Sequence, residues 1–134
     1  MPYYKLFYHA SWSTKDRAPF ILPGIEPTIE TALDETCSSF QLPLFGVGFA
    51  VDHIHVAFGG SPTTDLSKLI GRMKGSSSHA VNASANVEAQ FRWQREYGIL
   101  SITERALPDV LDYFKNQRTK HEAGQLIQRL ERFE

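Results

Sequence analysis

Cysteine is nearly absent from this 134-residue sequence: Cys37 stands alone. No internal disulfide is possible, and a reducing cytoplasm suits such a chain. Long apolar runs are missing too. No stretch approaches the ~20 residues a membrane-spanning helix needs, and Met1–Tyr8 lacks the continuous apolar centre of a secretory signal. The expectation is a soluble, cytoplasmic protein that uses no membrane. Charge of either sign is scarce as a net quantity, at −1, which argues against bulk electrostatic attraction to nucleic acid. Repeats, low-complexity tracts and internal linkers are also lacking, so residues 1–134 read as one domain.

What is present can build a core. Hydrophobic residues make up 42% of the chain, enough to fold without staples. Cys37 falls in a predicted helix beside Phe40 and reads as a small core residue. The charge is unevenly spread. From Ile21 to Ser67 there are six acids and no Lys or Arg, whereas Lys68 to Lys120 holds nine basic residues against five acids. Such polarisation suits either one basic face or ordinary solvated helix surfaces.

Aromatic Tyr3–Trp12 reads as a strand. After Pro19, Pro23 and Gly24, the spacing of Ile25, Ile29, Leu33 and Phe40 predicts a first helix, with Pro27 in its first turn and its end before Pro43. Leu44–Val51 is a short buried strand, Asp52 a turn, and His53–Phe58 a further strand closed by Gly59, Gly60 and Pro62. Thr64 or Asp65 can cap a second helix whose apolar stripe is Leu66, Leu69, Ile70 and Met73. Gly75 and three serines weaken that helix, which could extend to Ala85. Phe91–Thr103 reads as a strand bent at Gly98. Pro108 opens a third helix with Val110, Leu111 and Phe114 on its apolar face, and residues 122–134 suggest another. The order β-α-β-β-α-β-α is the ferredoxin-like split βαβ pattern. It predicts an α+β fold: a four-stranded antiparallel sheet, two helices on one face and a tyrosine-bearing helix over the other. Fold alone assigns no function.

Two short patterns carry chemistry. In His53-Ile54-His55, strand alternation sends both imidazoles to one face, about 7 Å apart along the backbone, and Ile54 with Val56 to the other. Paired imidazoles on an open sheet face suit a metal better than a core. On the third helix, Tyr113 and Gln117 lie four apart, one above the other. Val110, Tyr113, Phe114, Gln117 and His121 share an arc of about 100°. A tyrosine ring in the core with a glutamine at its edge would look the same. If this helix covers the histidine-bearing face, however, the Gln117 carbonyl completes a site for Mg²⁺ or Mn²⁺ with His53 and His55. Tyr113 is then placed to attack a phosphodiester. Tyrosine is a weak nucleophile at neutral pH and needs such electrostatic help.

These segments resemble the single-tyrosine HUH transposases of small bacterial and archaeal insertion sequences, TnpA-like proteins that include forms linked to repetitive palindromes. Val51-Asp52-His53-Ile54-His55-Val56 is similar to their His-hydrophobic-His metal motif, and Tyr113-Phe114-Lys115-Asn116-Gln117 to their tyrosine helix. Tyr8–Lys15 resembles the opening strand, Leu66–Ser78 the second helix, and Trp93-Gln94 through Tyr97-Gly98 the last strand. His121 matches the second histidine of a pair often found beyond the glutamine, whose first position is Lys120 here.

The resemblance implies Tyr113 as nucleophile, His53, His55 and Gln117 as metal ligands, and Mg²⁺ or Mn²⁺ as cofactor. It implies hairpin-bearing single-stranded DNA as substrate, a 5′-phosphotyrosyl intermediate with a free 3′-hydroxyl, and a homodimer with composite active sites. Candidate DNA contacts are Lys15, Arg17, Arg72, Lys74, Arg92, Arg95, Arg118 and His121, with Trp93 or Tyr97 stacking on a base.

Three rivals are weaker. A non-catalytic single-stranded nucleic-acid-binding module on the same fold is the main alternative, but no Gly-aromatic-Gly-aromatic run is present. A nucleotide hydrolase with three alternating histidines lacks its third at Ala57. Replication initiators and relaxases share the His pair but are usually larger.

Overall fold

The computed structural model describes residues 3–84 and 90–116. Four strands form one antiparallel sheet: β1 (Leu6–Ser13), β2 (Leu44–Phe49), β3 (His53–Gly60) and β4 (Gly98–Ile102). Their spatial order is β2-β3-β1-β4. Three helices accompany them: α1 (Glu26–Ser39), α2 (Leu66–Ala83) and α3 (Leu107–Lys115). This is the expected α+β arrangement. No helix among the described residues is long and apolar enough to cross a membrane.

Strand alternation divides the sheet's side chains between two layers. Ala10, Trp12, Ile54, Val56 and Phe58 join Ile29, Leu33 and Cys37 of α1 and Leu69, Ile70, Met73 and Val81 of α2 in the main core. Burial, aided by Asp34, pushes the Cys37 thiol up to about 11, so it serves as a packed apolar group. On the opposite layer, Ala57 packs with Val110, Tyr113 and Phe114 of α3.

Helix ends follow local chemistry. Pro27 and Pro108 occupy the first turns of α1 and α3, where a missing N–H costs nothing. Of the two candidate caps for α2, Asp65 accepts from the Lys68 backbone N–H. Thr64 instead accepts from the Ser61 N–H. The serines do not break α2: the Ser77 hydroxyl donates back to the Met73 carbonyl, and the helix runs to Ala83.

The last strand is shorter than the sequence suggests. Only Gly98–Ile102 forms β4, whereas Trp93 makes one isolated bridge to Thr14. Residues 90–97 owe their aromatics to packing rather than pairing. Phe91 is buried and meets the Trp93 ring edge-on, and the Trp93 indole N–H donates to Ser77 Oγ. The Asn82 amide clamps the Phe91 backbone from both sides, and Lys74 Nζ donates to the carbonyls of Gln94, Arg95 and Glu96. A lysine taking three consecutive carbonyls substitutes for a ladder. The expected helix at 122–134 lies outside the described residues.

Close approach of α3 to the sheet depends on β2. A Cβ on Gly48 would stand 2.9 Å from Phe114 Cβ and 3.0 Å from its Cα, and one on Gly46 2.8 Å from Leu111 Cδ2. At Gly48 the obstacle includes helix backbone, so the helix itself would have to shift. Gly48→Ala should therefore lower stability by about 1–3 kcal/mol, read as a reduced denaturation midpoint. Unchanged stability would mean that α3 is not seated there in solution.

Candidate active site

The register fixes which side chains meet beneath α3. Ser11 of β1 and Gly48 of β2 lie opposite His55, and Ser13 lies opposite His53. Paired residues share a face in an antiparallel sheet. The two histidines thus sit on the α3 side, flanked by small residues, and His9 lies one step along the same face, opposite Ala57.

All three imidazoles are enclosed: His53 is 1% exposed, His55 0% and His9 2%. The His53 and His55 rings are 5.2 Å apart, at 80°. His53 Nδ1 lies 2.7 Å from Asp52 Oδ1, and Arg17 Nε donates to Asp52 Oδ2 at 3.0 Å. His55 Nδ1 lies 2.8 Å from His9 Nε2. From above, the Tyr113 ring meets His55 edge-on at 5.7 Å, and Phe114 stacks on His55 at 5.7 Å, tilted by 30°. Tyr113 is itself only 2% exposed.

The Asp52 carboxyl feels opposing influences. Burial raises its pKa, but the His53 hydrogen bond and the adjacent Arg17 guanidinium outweigh burial and hold it below the ordinary carboxylate value. It is therefore an anion at neutral pH that ties the 3-10 turn at Lys15–Arg17 to the start of β3.

The structure thus brings Tyr113, His53 and His55 together. Gln117, Arg118 and His121 lie outside the described residues. Arg17 reaches the site through Asp52. Lys15 and Arg92 are exposed neighbours, joined by a backbone hydrogen bond from Lys15 N–H to the Arg92 carbonyl. Arg92 Nη2 also donates to Gln90. Lys74, Arg92 and Arg95 line an open groove beside α2, and Arg72 is exposed on that helix. Lys74 spends its donors on the loop carbonyls and lies 5.9 Å from the Tyr97 ring centre. Trp93 and Tyr97 are half-buried against the core.

Two residues at the site were not singled out from the sequence. Asp52 was read as a turn and as part of the segment resembling the metal motif, with no role of its own. His9 lies 46 positions from its partner, and only strand register reveals their contact.

A buried pair of imidazoles whose Nδ1 atoms are both engaged suits coordination through Nε2. Among the described residues, no three His, Cys, Asp or Glu side chains gather as a metal site. The donor set therefore fits a divalent ion only if a ligand of another kind joins the pair.

A family model described as IS200-like transposase matches residues 2–117. The chain belongs to the IS200-like transposase family. Two solved structures share the transposase fold. One, assigned as a transposase from Deinococcus radiodurans R1, has a TM-score of 0.70 and 22% identity, covering 87% of this chain and 94% of that one. The other is a REP-associated tyrosine transposase bound to a REP hairpin, with a TM-score of 0.66 and 14% identity, covering 94% of this chain and 73% of that one. No curated protein matches. Family membership makes this transposase a DNA-processing enzyme.

The Asp52 bridge can be weighed within the transposase. Asp52→Ala removes the partner of a buried imidazole and should cost about 1–3 kcal/mol. Arg17→Ala removes a half-exposed partner and should cost under about 1 kcal/mol. Because the Asp52 pKa is lowered on folding, its contribution is present at neutral pH and fades as pH falls through that lowered value. Denaturant titrations of both variants at neutral and acidic pH read this order. Equal costs at neutral pH would refute the asymmetry.

Proposed function

We propose that this transposase cleaves and rejoins single-stranded DNA at hairpin-bearing ends, with Tyr113 as the nucleophile. The observation that carries the reading is the contact of Tyr113 with His55, beneath a helix seated on the histidine-bearing face. A tyrosine filling an ordinary core would need no imidazole pair beside it.

The reaction is a transesterification. Tyr113 Oη attacks the phosphorus and loses its proton, and the bond to the 3′-oxygen breaks. That oxygen gains a proton and leaves as a free 3′-hydroxyl. The 5′-phosphate stays on Tyr113 as a phosphodiester, so the bond's energy is conserved and another 3′-hydroxyl can reverse the step. His53 and His55, with Gln117, are the residues that would hold Mg²⁺ or Mn²⁺. Such an ion, when bound, would supply stabilisation of the negative charge that develops on the phosphate. Asp52 orients the His53 ring through the contact of its carboxylate with Nδ1.

Hairpin DNA as the ligand is supported by the hairpin bound to the REP-associated relative. The exposed positions of Lys15, Arg72, Arg92 and Arg95 are compatible with phosphate contacts; Arg118 and His121 join them in this reading. A homodimer is proposed as the working unit.

A denaturing gel tests the chemistry. With labelled hairpin DNA from the flanking palindromes, Mg²⁺ or Mn²⁺ should yield a covalent protein–DNA band that EDTA abolishes. Tyr113→Phe should remove the band while sparing DNA binding, and His55→Ala should do the same. An adduct surviving in Tyr113→Phe would move the nucleophile elsewhere. Binding without any adduct, across several candidate ends, would favour the non-catalytic binder.

A further inference from the structure

We propose that His9 is a positioning residue for the active site: its imidazole fixes the ring orientation and tautomer of His55. The inference rests on the reading of His53 and His55 as metal ligands and deepens it.

The geometry begins with the strands. His9 lies on β1, two residues before Ser11, which is the partner of His55 on β3. Both side chains therefore lie on the α3 face, as diagonal neighbours. His9 Nε2 and His55 Nδ1 are 2.8 Å apart, their ring centres 5.0 Å apart. Phe114 contacts both rings from above, at 5.3 Å from His9 and 5.7 Å from His55. The pair is held between sheet and helix with little freedom to rotate.

Two ring nitrogens at 2.8 Å share one proton: one donates its N–H and the other accepts. If His55 donates from Nδ1, its lone pair resides on Nε2, the atom directed away from His9. If His9 donates instead, His55 Nδ1 carries the lone pair and Nε2 the proton, and Nε2 offers a cation nothing. Only the first arrangement serves the site. His53 is arranged the same way, with Nδ1 against Asp52 Oδ1 at 2.7 Å. The two histidines thus have matched anchors of different chemistry, a carboxylate for one and an imidazole for the other. A partner of this kind raises a ligand's basicity and sets which nitrogen coordinates. His9 is not a third ligand in this arrangement: its Nε2 accepts from His55, its proton is then on Nδ1 so neither nitrogen has a lone pair to offer, and no three-residue metal cluster exists among the described residues.

The test uses metal-free full-length protein labelled with ¹⁵N-histidine. Long-range ¹H–¹⁵N correlation spectra, assigned with a His55→Gln reference, should show the wild-type His55 ring protonated on Nδ1. In His9→Phe, which keeps an aromatic ring beneath Phe114, His55 should shift to the Nε2-protonated form or a mixture. His9→Gln, whose carbonyl oxygen can accept from Nδ1–H, should restore the wild-type tautomer. An Nε2-protonated His55 in the wild type, or a tautomer unchanged in His9→Phe, would overturn the proposal. If His9→Phe does not fold, the wild-type tautomer and His9→Gln still decide.

A second readout separates this proposal from the metal reading beneath it. The Mn²⁺ concentration giving half-maximal thermal stabilisation should rise about 10- to 100-fold in His9→Phe and recover in His9→Gln. Absence of any Mn²⁺ effect on the wild type would count against the metal site itself, while the spectra would still judge the role of His9. An unshifted Mn²⁺ response in His9→Phe would sink the positioning role.

Discussion

Enclosing imidazoles between a sheet and a helix is the constraint on which the rest of the site depends. Each ring carries two nitrogens that lose water on burial, and a buried polar atom without a partner costs about 1–3 kcal/mol. Every partner must therefore come from the protein or from what it binds. Asp52 answers for one nitrogen of His53, and His9 for one of His55. Arg17 in turn balances the Asp52 charge. The small residues opposite the histidines, Ser11, Ser13 and Gly48, follow from the same demand: imidazoles and a helix share one narrow layer only where neighbouring strands present little bulk.

The two sheet faces divide stability and chemistry between them. The α1–α2 side is an ordinary close-packed core in which Trp12, Ile54, Phe58, Leu33, Ile70 and Met73 are fully enclosed. It bears the thermodynamic load. The α3 side has a much smaller apolar set, and one of its members is Tyr113 itself. Polar rings can be kept in that layer because the other supplies the driving force. The rigid strands then fix the two histidines relative to one another, as the proposed metal-binding role would require.

Much of this could be read from the chain. Periodicity located all three described helices, and parity on His53-Ile54-His55 placed the histidines together on the face away from α1 and α2. Parity needs only local sequence. What it could not give was register: nothing local says that Ser11 faces His55, so His9 as a diagonal neighbour was invisible. Asp52 was missed for the opposite reason, because a turn residue beside a motif looks like punctuation. Residues 91–97 were over-read as strand because aromatic content signals burial as strongly as it signals β structure; here Phe91 and Trp93 pack under α2 while Lys74 and Asn82 hold the backbone. Lys74 shows the matching ambiguity of charge. It was a candidate phosphate contact, and its ammonium in fact caps a loop.

The burial that orders the site also limits how it can be used. Under the proposed reaction a phosphodiester would have to reach Tyr113, which is 2% exposed beside histidines that are 0% and 1% exposed, and it cannot while every covering element stays in place. Of the described elements over this face, α3 is the one that can yield. It spans nine residues, and its buried side chains, Val110, Tyr113 and Phe114, lie outside the main core. Undocking it would leave the α1–α2 layer intact, so its opening free energy is a local quantity, well below that of global unfolding. Gly46 and Gly48 sharpen the argument. Contact across a glycine-faced strand is intimate when seated and is lost almost wholly over a small displacement, because dispersion falls steeply with distance. Tyr113, carried on such a helix, has one well-defined resting position against His55 and a short route away from it. In the proposed reaction, entry of a strand and movement of a tethered 5′-phosphate would both draw on that combination.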